Sequence, residues 1–412
     1  MLAPEIARER FKEWCFTLLF FIPVSLFAQS DYLTLKGKVV DSQTQTPLPF
    51  ALLSLKGTSI STTTNAEGDF IFHIPVDLKE NLLVVAMMGY TSTTLKPAVF
   101  EEQQTIHLEE AIHNLEEVTI SADKQLSAKQ IIKRAYKALP DNYPTQPYLV
   151  EGFIRDLQKE DSTYVEFLEY AVKLAYQPYN VKQEPKVALQ QVRRSYIAQK
   201  HPWNEDQERQ NAIMDLIEDD FIRFNYGPIK VGKGWQYTIE QVLPYNGHVV
   251  YKILGQDRPF QEATLYIDTE SFAFVKMELI RTAHKGKSWR RRLTSGQQQM
   301  LYQVVFEYQR YKDKWYLKYQ KEEDTWQIYE DLLSDKLLFT KYPKKELFIN
   351  RIIVENIEAY PFVRNLNIHQ SVEDQAPPYD PTFWKYYNAP AQTKTLSRIE
   401  AYLKEAQVKE KR

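Results

Sequence analysis

Long runs of alternating apolar and polar residues restrict most of this chain to antiparallel β-structure. In residues 300–310 every second side chain is apolar, which is the period of a strand whose two faces differ. One face would carry Tyr302, Val304, Phe306 and Tyr308, and the other Gln303, Glu307 and Gln309. Further strand candidates cover 235–242, 249–254, 263–267, 272–281 and 315–321. Because only short turns separate these segments, we predict one large antiparallel sheet that can bury one face and expose the other.

Residues 33–108 show a different pattern, with shorter strands and a turn signal every ~8–12 residues. The strand candidates cover 35–41, 50–55, 62–64, 70–75, 82–86 and 90–95. This spacing is typical of an all-β sandwich. Gly68 suits a turn that needs a positive φ, and Asn65 tolerates one. Asp41, Asn65 and Asp69 are interpreted as turn residues, and a calcium or carbohydrate site built from them is the alternative.

The same segment carries three short motifs, G-x-V-x-D, P-L-x-x-A and T-x-x-x-G-x-F. They comprise Gly37, Val39, Asp41, Pro47, Leu48, Ala51, Thr64, Gly68 and Phe70. This pattern resembles the carboxypeptidase-regulatory-like, transthyretin-like domain of many exported Bacteroidetes proteins, although Asn65 stands where that family usually has Asp. The resemblance implies a β-sandwich outside the cytoplasm, often placed before a larger module. It also implies that the domain contributes no catalytic residues.

The N-terminus contains an uncharged apolar run at residues 14–28. Its 15 residues are short for a membrane span, which needs ~20, but they fit the apolar region of a secretory signal peptide. We predict cleavage after Ala28 and an exported protein of the periplasm or outer membrane; an uncleaved membrane anchor is the alternative. Removing 28 of the 412 residues leaves 384 and removes Cys15, the one cysteine. The mature chain would then have neither disulfides nor thiolate chemistry.

A helix is predicted between the two β-rich parts. Ser127 and Gln130 form a capping-box motif, and the apolar residues that follow share one helical face. These are Ile131, Ile132, Ala135 and Leu139, with Pro140 and Pro144 ending the helix. Residues 123–390 resemble an uncharacterised module that is often fused to the sandwich, in which Asn142-Tyr143-Pro144 and Phe153-Ile154-Arg155 recur. Asp156 stands where that group has Glu.

Residues 265–280, LYIDTESFAFVKMELI, resemble a hairpin from the curved sheets of lipoprotein-carrier proteins. The resemblance implies a half-open barrel that holds either its own helices or an apolar ligand. The fold class predicted for the whole chain is therefore an all-β sandwich followed by an α+β domain on a large antiparallel sheet. The predicted divisions are a signal at 1–28, a sandwich at 31–110, a connector and helix at 111–145, the sheet domain at 146–375 and a tail at 376–412. In the tail, Phe383, Trp384 and Tyr387 should pack onto the body.

Charge and motif content point away from several functions. The chain has 52 basic and 54 acidic side chains, which argues against nucleic-acid binding. The H-x-x-E strings at 107–110 and 113–116 are interpreted as chance, and Gly286-Lys287-Ser288 lacks the first glycine of a phosphate-binding loop. We therefore assign no catalytic, cofactor-binding or metal-binding residue.

One local cluster of basic residues stands out. It comprises Lys285, Lys287, Arg290, Arg291 and Arg292, beside Trp289. A solvated hairpin loop and contact with lipid phosphates or an acidic partner are the two interpretations.

The sequence favours an exported, non-enzymatic binding or assembly protein of the bacterial envelope. Its partners would be outer-membrane or other envelope proteins, a glycan or a lipid. A periplasmic carrier of an apolar ligand, using a concave sheet, is the first alternative. A hydrolase with an unrecognised site is the second. No cofactor is implied, and no transmembrane span is predicted after signal removal.

Overall fold

The computed structural model describes residues 32–97, 103–111, 126–197, 220–232, 234–257, 260–283, 296–330, 336–360 and 372–410, with 213, 216, 217, 365–367 and 370. The predicted signal at 1–28 and the basic cluster at 285–292 lie outside the described residues. No helix within the described part is both long and apolar enough to cross a bilayer.

The N-terminal part is a sandwich of two small sheets, as predicted. One sheet has the order β4-β1-β7 and the other β3-β2-β5-β6. The strands are β1 (Tyr32–Asp41), β2 (Leu52–Leu55), β3 (Ser61–Thr63), β4 (Asp69–Pro75), β5 (Leu83–Ala86), β6 (Thr93–Leu95) and β7 (Gln104–Leu108). The fully buried side chains of Val39, Leu53, Phe72 and Val85 fill the space between the sheets.

The strand β7 lies inside the predicted sandwich at 31–110 but was not among its strand candidates, the last of which covers 90–95. It pairs parallel to β1, with Gly37 opposite Gln104. A Cβ atom at Gly37 would lie 2.1 Å from the Gln104 carbonyl oxygen, so only glycine fits there. The first residue of the G-x-V-x-D motif is thus explained by a strand that the motif itself does not include.

The predicted helix is present as α1 (Ala128–Lys137), and both hydrogen bonds of the capping box at Ser127 are formed. Ile131, Ile132 and Ala135 are buried on one face. Pro140 does not simply end the helix, because it lies in the first turn of a second short helix, α2 (Leu139–Asn142). Proline is tolerated there since the first backbone N–H groups of a helix have no partner within the helix.

The large sheet has eleven strands, and all of its pairs are antiparallel. The strands are β8 (Tyr148–Glu160), β9 (Thr163–Tyr176), β10 (Lys186–Tyr196), β11 (Gln236–Tyr245), β12 (His248–Gln256), β13 (Gln261–Asp268), β14 (Phe274–Thr282), β15 (Gln297–Tyr311), β16 (Lys314–Tyr329), β17 (Leu337–Lys341) and β18 (Lys344–Ile353). The path runs from β10 to β11 at its two ends, and β18 lies between β16 and β8. The sheet is therefore not closed as a barrel.

Several strand boundaries differ from the prediction. The strand β16 continues to Tyr329, through the acidic residues 322–324, because β18 supplies lysines: Lys345 Nζ lies 3.7 Å from Glu322 Oε1, and Lys344 Nζ lies 3.3 Å from Glu323 Oε1. Phe272 has a φ of +59° and belongs to the turn before β14. The strands β10, β17 and β18 were not predicted.

The two faces of the large sheet are distinguished by what covers them. The helix face carries Val150, Ile154, Phe306 and Leu347, and the sandwich face carries Phe153, Ala171, Val305, Tyr319 and Phe348. The helix face is covered by α1, α2, a short helix α3 (Phe221–Phe224) and the buried residues Ile213, Leu216 and Ile217. The expectation of one exposed face fails at the centre of β15, where Val305, Phe306 and Glu307 are all buried.

The C-terminal tail contains α4 (Val372–Gln375), α5 (Pro381–Tyr386) and α6 (Lys394–Glu410). Its aromatic residues pack onto the body, as predicted: Trp384 lies edge-on to Phe153 at 6.4 Å between ring centroids. In α6, Ile399 and Leu403 bury themselves against Phe167 of β9. The tail therefore contributes to the cover of the sandwich face.

Candidate functional site

The sandwich packs directly on the large sheet, and the contact combines polar and aromatic groups. Ser59 Oγ donates to the Ile352 carbonyl oxygen at 2.6 Å and accepts from the Ile352 N–H at 3.0 Å. The Gly89 N–H donates to the Pro244 carbonyl oxygen at 2.9 Å. Phe50 stacks on Tyr319 with ring centroids 5.4 Å apart. These contacts hold the sandwich on one face of the sheet and enclose the side chains between them.

The same face of the sheet carries an ion triad on three adjacent strands, β8, β9 and β10. Arg155 Nε and Nη2 donate to Glu169 Oε1 at 3.0 and 2.9 Å, and Arg193 Nε donates to Glu169 Oε2. Glu169 is 0% exposed and Arg155 is 4% exposed. Both arginines lie directly opposite Glu169 in the strand register. Because both carboxylate oxygens are occupied, the triad is suited to fixing structure rather than to meeting a substrate.

The triad is tied to the tail. Arg155 Nη2 also donates to the Pro390 carbonyl oxygen at 3.4 Å, and the Arg193 guanidinium lies 4.4 Å from the centre of the Trp384 ring. A guanidinium over an indole face gains electrostatic and packing energy together. The charged layer therefore positions the tail as well as the strands.

A second charged pair lies in a β-bulge between β15 and β16. The register places Glu307 opposite Tyr319 and Tyr308 opposite Leu317, so Lys318 is the extra residue. Lys318 Nζ lies 3.6 Å from Glu307 Oε1, which also accepts a hydrogen bond from the Tyr245 hydroxyl at 2.8 Å. Burial lowers the pKa of Lys318, and burial followed by the nearby Glu307 carboxylate raises the pKa of Tyr245. A bulge is a common way to aim a side chain differently from its neighbours.

A small cavity adjoins Lys318 where the sandwich, the large sheet and the tail meet. It encloses about 10 Å³ and is lined by residues of all three parts, among them Thr63, Lys318, Asn350 and Pro390. This volume is close to that of one water-sized occupant. The cavity is too small for an organic substrate.

The helix face is filled by the chain's own side chains. Fully buried tyrosines occupy its centre: Tyr143 donates to the Phe274 carbonyl oxygen at 2.8 Å and lies edge-on to Tyr308 at 5.6 Å between centroids. Burial raises the pKa of both phenols. Asp220 caps α3, and Arg223 of that helix lies over the Tyr176 ring at 4.8 Å. The half-open barrel was expected to hold either the protein's own helices or an apolar ligand. Within the described residues, the protein's own helices fill this space.

Two of the three candidate turn residues of the sandwich perform turn chemistry, whereas Asp69 begins β4 and its carboxylate lies 2.9 Å from Lys38 Nζ. Asp41 Oδ1 accepts hydrogen bonds from the Gln43 and Thr44 N–H groups, and the bond from Thr44 is the main cause of its lowered pKa. Asn65 Oδ1 accepts from the N–H groups of Glu67 and Asp69. Among the described residues, no three histidine, cysteine, aspartate or glutamate side chains are grouped as metal ligands.

The other residues singled out in the sequence are not brought together. His107 and Glu110 are exposed at the edge of the sandwich, and the second H-x-x-E string lies beyond the described residues. The basic cluster of Lys285, Lys287, Trp289, Arg290, Arg291 and Arg292 also lies there, so its contact with an anionic partner stays a prediction. Asp156 is buried on the helix face, where it accepts a hydrogen bond from Gln158 at 2.7 Å.

The charged layer itself was missed. Glu169 and Lys318 are charges with an apolar or aromatic residue on each side, Leu168 and Tyr170 in one case and Leu317 and Tyr319 in the other, and that contrast was the available signal. A charge flanked by apolar residues is also common on solvated strands, so the sequence alone could not show that a second domain covers it.

Comparison with known proteins identifies the sandwich. The family model of the CarboxypepD_reg-like domain matches residues 35–120, so the chain carries this domain, as its motifs indicated. That match covers less than a quarter of the 412 residues and says nothing about the large sheet. No curated protein matches the chain.

Solved structures similar to the chain have very low sequence identity. A LolA superfamily protein from Nitrosomonas europaea is 9% identical, with 56% of this chain and 95% of that chain covered and a TM-score of 0.26. A putative outer membrane lipoprotein-sorting protein domain from Vibrio parahaemolyticus is 10% identical, with coverages of 55% and 92% and a TM-score of 0.25. The Pseudomonas aeruginosa MucA/MucB complex follows at 9% identity, coverages of 54% and 93% and a TM-score of 0.18.

Proposed function

We propose that this chain is an exported, non-enzymatic binding or assembly protein of the bacterial envelope, in which the sandwich and the large sheet act as one rigid body. The observation that carries the proposal is the buried ion triad of Arg155, Glu169 and Arg193, which is enclosed by the tail on the sandwich face. A buried carboxylate is tolerated only when its partners are held in place. The triad therefore requires that the tail stay docked, and the tail is in turn hydrogen-bonded to the sandwich through Asn388 and His73.

The use of ionisable groups supports a binding role over a catalytic one. A catalytic acid or base needs a free position within hydrogen-bond reach of a substrate. Glu169 has both oxygens occupied, and Glu307 is shared between Tyr245 and Lys318. These groups hold strands, tail and sandwich together, which leaves the outer surface for recognition.

Export rests on the sequence. The apolar run at 14–28 fits a secretory signal, and the remaining 384 residues contain no cysteine. The CarboxypepD_reg-like domain that follows is the kind of module expected before a larger exported unit. Cell fractionation, with the mature N-terminus read by mass spectrometry, would test this part of the proposal. An intact residue 1 in a cytoplasmic fraction would contradict it.

The carrier alternative predicts a different molecule. An apolar ligand would have to enter the helix face, where Phe306, Tyr143 and Tyr308 are already packed. Native mass spectrometry of the purified mature protein separates the two ideas. We expect the mass of the polypeptide alone. A stoichiometric lipid adduct that survives gentle desolvation would favour the carrier.

The binding role is tested by site-specific photo-crosslinking in the cells that make the protein. A photoreactive residue would replace Tyr379, Tyr402 or Leu337, which are 60%, 49% and 44% exposed, one at a time. The exposed Lys56 of the sandwich is a matched control on another surface. We expect one discrete adduct, the same at each reactive position, at a subset of Tyr379, Tyr402 and Leu337 and none at Lys56. Absence of adducts at all three test positions, in a protein that is exported and folded, would contradict the proposal.

A further inference from the structure

The cavity beside Lys318 lies where three parts of the molecule meet. Ser61, Thr62 and Thr63 belong to β3 of the sandwich, while Lys318 and Asn350 belong to β16 and β18 of the large sheet. Pro390 closes it from the tail. Any occupant would touch all three parts at once. Its binding would therefore be coupled to their docking.

Buried hydrogen-bond donors of this cavity lack partners. Lys318 is 2% exposed, and its ammonium has no hydrogen-bond partner among the described residues. The hydroxyl of Thr63, also buried, has none within the same part of the chain. An ammonium carries three N–H donors and no acceptor. Leaving such groups unsatisfied in a buried site is costly, so an occupant that accepts hydrogen bonds would be strongly favoured.

The charged groups around the cavity also favour an anionic occupant. Glu307 Oε1 is 3.6 Å from Lys318 Nζ, and it also accepts a hydrogen bond from Tyr245. Lys276 lies near enough to disfavour the charged form of Lys318, although its own ammonium pairs with Glu278 at 2.8 Å. The Lys318 ammonium is thus only partly neutralised, and the second charged group that acts on it, Lys276, is positive.

We propose that this cavity binds one halide ion, chloride under ordinary conditions, between Lys318 and Thr63. A halide is monatomic, which suits a cavity of about 10 Å³, and it accepts hydrogen bonds from ammonium and hydroxyl donors. A water molecule also fits the volume, but it brings two hydrogens that need acceptors and no charge to offset the ammonium. The site goes beyond the proposed function, because it concerns how the parts are joined, whatever the protein binds outside.

Crystals of the mature protein grown with sodium bromide test the site directly. Bromide scatters anomalously, so a bound ion gives a peak in the anomalous difference map. We expect that peak inside the cavity, within ~3.5 Å of Lys318 Nζ, the limit for a strong polar contact. A well-ordered oxygen-sized density in the cavity with no anomalous signal would show water and overturn the proposal.

Thermal unfolding tests the same site in solution. The melting temperature would be compared in sodium bromide and in sodium gluconate of equal ionic strength, since gluconate is too large to enter. We expect the wild-type protein to melt several degrees higher in bromide. Lys318→Met and Thr63→Val should reduce this difference, even if either variant shifts the absolute melting temperature. Thr63→Val keeps the ammonium and so remains informative if Lys318→Met does not fold.

Lys321→Met is the matched control. Lys321 lies on the same strand, three residues further on, and pairs with Glu323 at 3.2 Å, away from the cavity. It should keep the wild-type halide difference. Equal melting temperatures of the wild-type protein in the two salts would overturn the proposal. So would a difference that Lys318→Met and Thr63→Val leave unchanged.

Discussion

Both faces of the large sheet are buried, but one is stabilised by apolar packing and the other depends on the pairing of buried charges. On β15, Phe306 enters the helix face and packs at a tilt of 52° against Phe221 with centroids 4.7 Å apart, while the next residue, Glu307, enters the sandwich face. The helix face gains free energy from removing apolar surface from water. The sandwich face has to desolvate charges and recovers that cost only through paired partners.

The two faces therefore differ in how strictly they define the arrangement of the parts packed on them. Apolar packing tolerates volume-conserving changes and therefore defines a shape loosely. A buried ion triad tolerates few arrangements, because each charge must find its partner. We infer that the helix face supplies most of the stability, whereas the sandwich face decides which surface the tail and sandwich occupy. The following predictions test this difference between the two faces.

The largest effect is expected on the helix face. Phe306→Ala removes a fully buried ring and should lower the free energy of unfolding by about 3–5 kcal/mol. Urea unfolding at constant pH measures it. Ile280→Ala, on the adjacent strand β14 and 36% exposed, should cost less than ~1 kcal/mol. A small loss at Phe306 would mean that this face is loosely packed and would reopen the question of an apolar ligand.

A much smaller chemical change in the ion triad should lower the free energy of unfolding nearly as much as Phe306→Ala does. Glu169→Gln keeps the shape of the side chain but leaves the buried Arg155 without its charge partner, so we expect a loss of about 3 kcal/mol. The control is Glu240→Gln, which removes a half-exposed partner of Lys252 at 2.7 Å and should cost under ~1 kcal/mol. Equal effects in the two variants, by chemical denaturation, would show that the triad is not structurally special.

A pH effect is expected where the tail meets the sandwich. His73 is buried beside Tyr386, and burial lowers its pKa to about 4, with Lys36 as the second cause. The unfolded chain, with a pKa near 6.5, then binds the proton first as the pH falls. Stability from the neutral ring is complete above pH ~6.5 and is lost progressively towards pH ~4, by about 2 kcal/mol after allowance for partial solvent exposure.

The His73 effect is measured as a difference between proteins. Denaturation at pH 7 and pH 4.5 would be compared for wild type and His73→Asn, because carboxylates titrate in both. The variant should lose less stability on acidification. His107→Asn, at an exposed position of the same sandwich, should follow the wild type. Parallel behaviour of all three proteins would show that His73 is not the titrating group.

The smallest effect is expected for the hydrogen-bonded contact between the tail and β4. The Asn388 side chain imitates a neighbouring strand: its Oδ1 accepts from the His73 N–H at 2.8 Å, and its Nδ2 donates to the His73 carbonyl oxygen at 3.0 Å. Asn388→Ala should cost about 1 kcal/mol. Hydrogen exchange should become faster at the His73 amide and remain unchanged at Phe72, which points into the sandwich core. Unchanged exchange at His73 would contradict the proposed contact.

The local chemistry of the chain predicted most of the sandwich and the first helix. Ser127 and Gln130 cap α1 as their spacing indicated, and Gly68 has the positive φ that its turn required. Such features depend on residues close in sequence, so their partners can be read directly. The domain divisions at 110, 145 and 375 stay predictions.

The strands β7 and β18 were missed for a shared reason. Their side-chain pattern is weak, and each takes a partner from a distant part of the chain: β7 pairs with β1, and β18 inserts between β16 and β8. A bulge also disturbs the alternation of β16 at Lys318, opposite Glu307 and Tyr308 of β15, so that the face Lys318 occupies cannot be obtained by counting in twos. Register errors of this kind move a side chain from one face to the other.

The sequence by itself determined that this is a β-rich chain with a CarboxypepD_reg-like sandwich, a capped helix and a large antiparallel sheet, because these follow from periodicity, turn residues and short motifs. Only the tertiary structure decided that the sandwich covers the sheet, that Glu307 and Lys318 are buried, and that Arg155 and Glu169 are buried beneath the tail. The hydrogen bonds of that contact join residues as far apart as Ser59 and Ile352, separated by 293 positions. Desolvation and pairing of charges depend on such distant neighbours, and no local pattern encodes them.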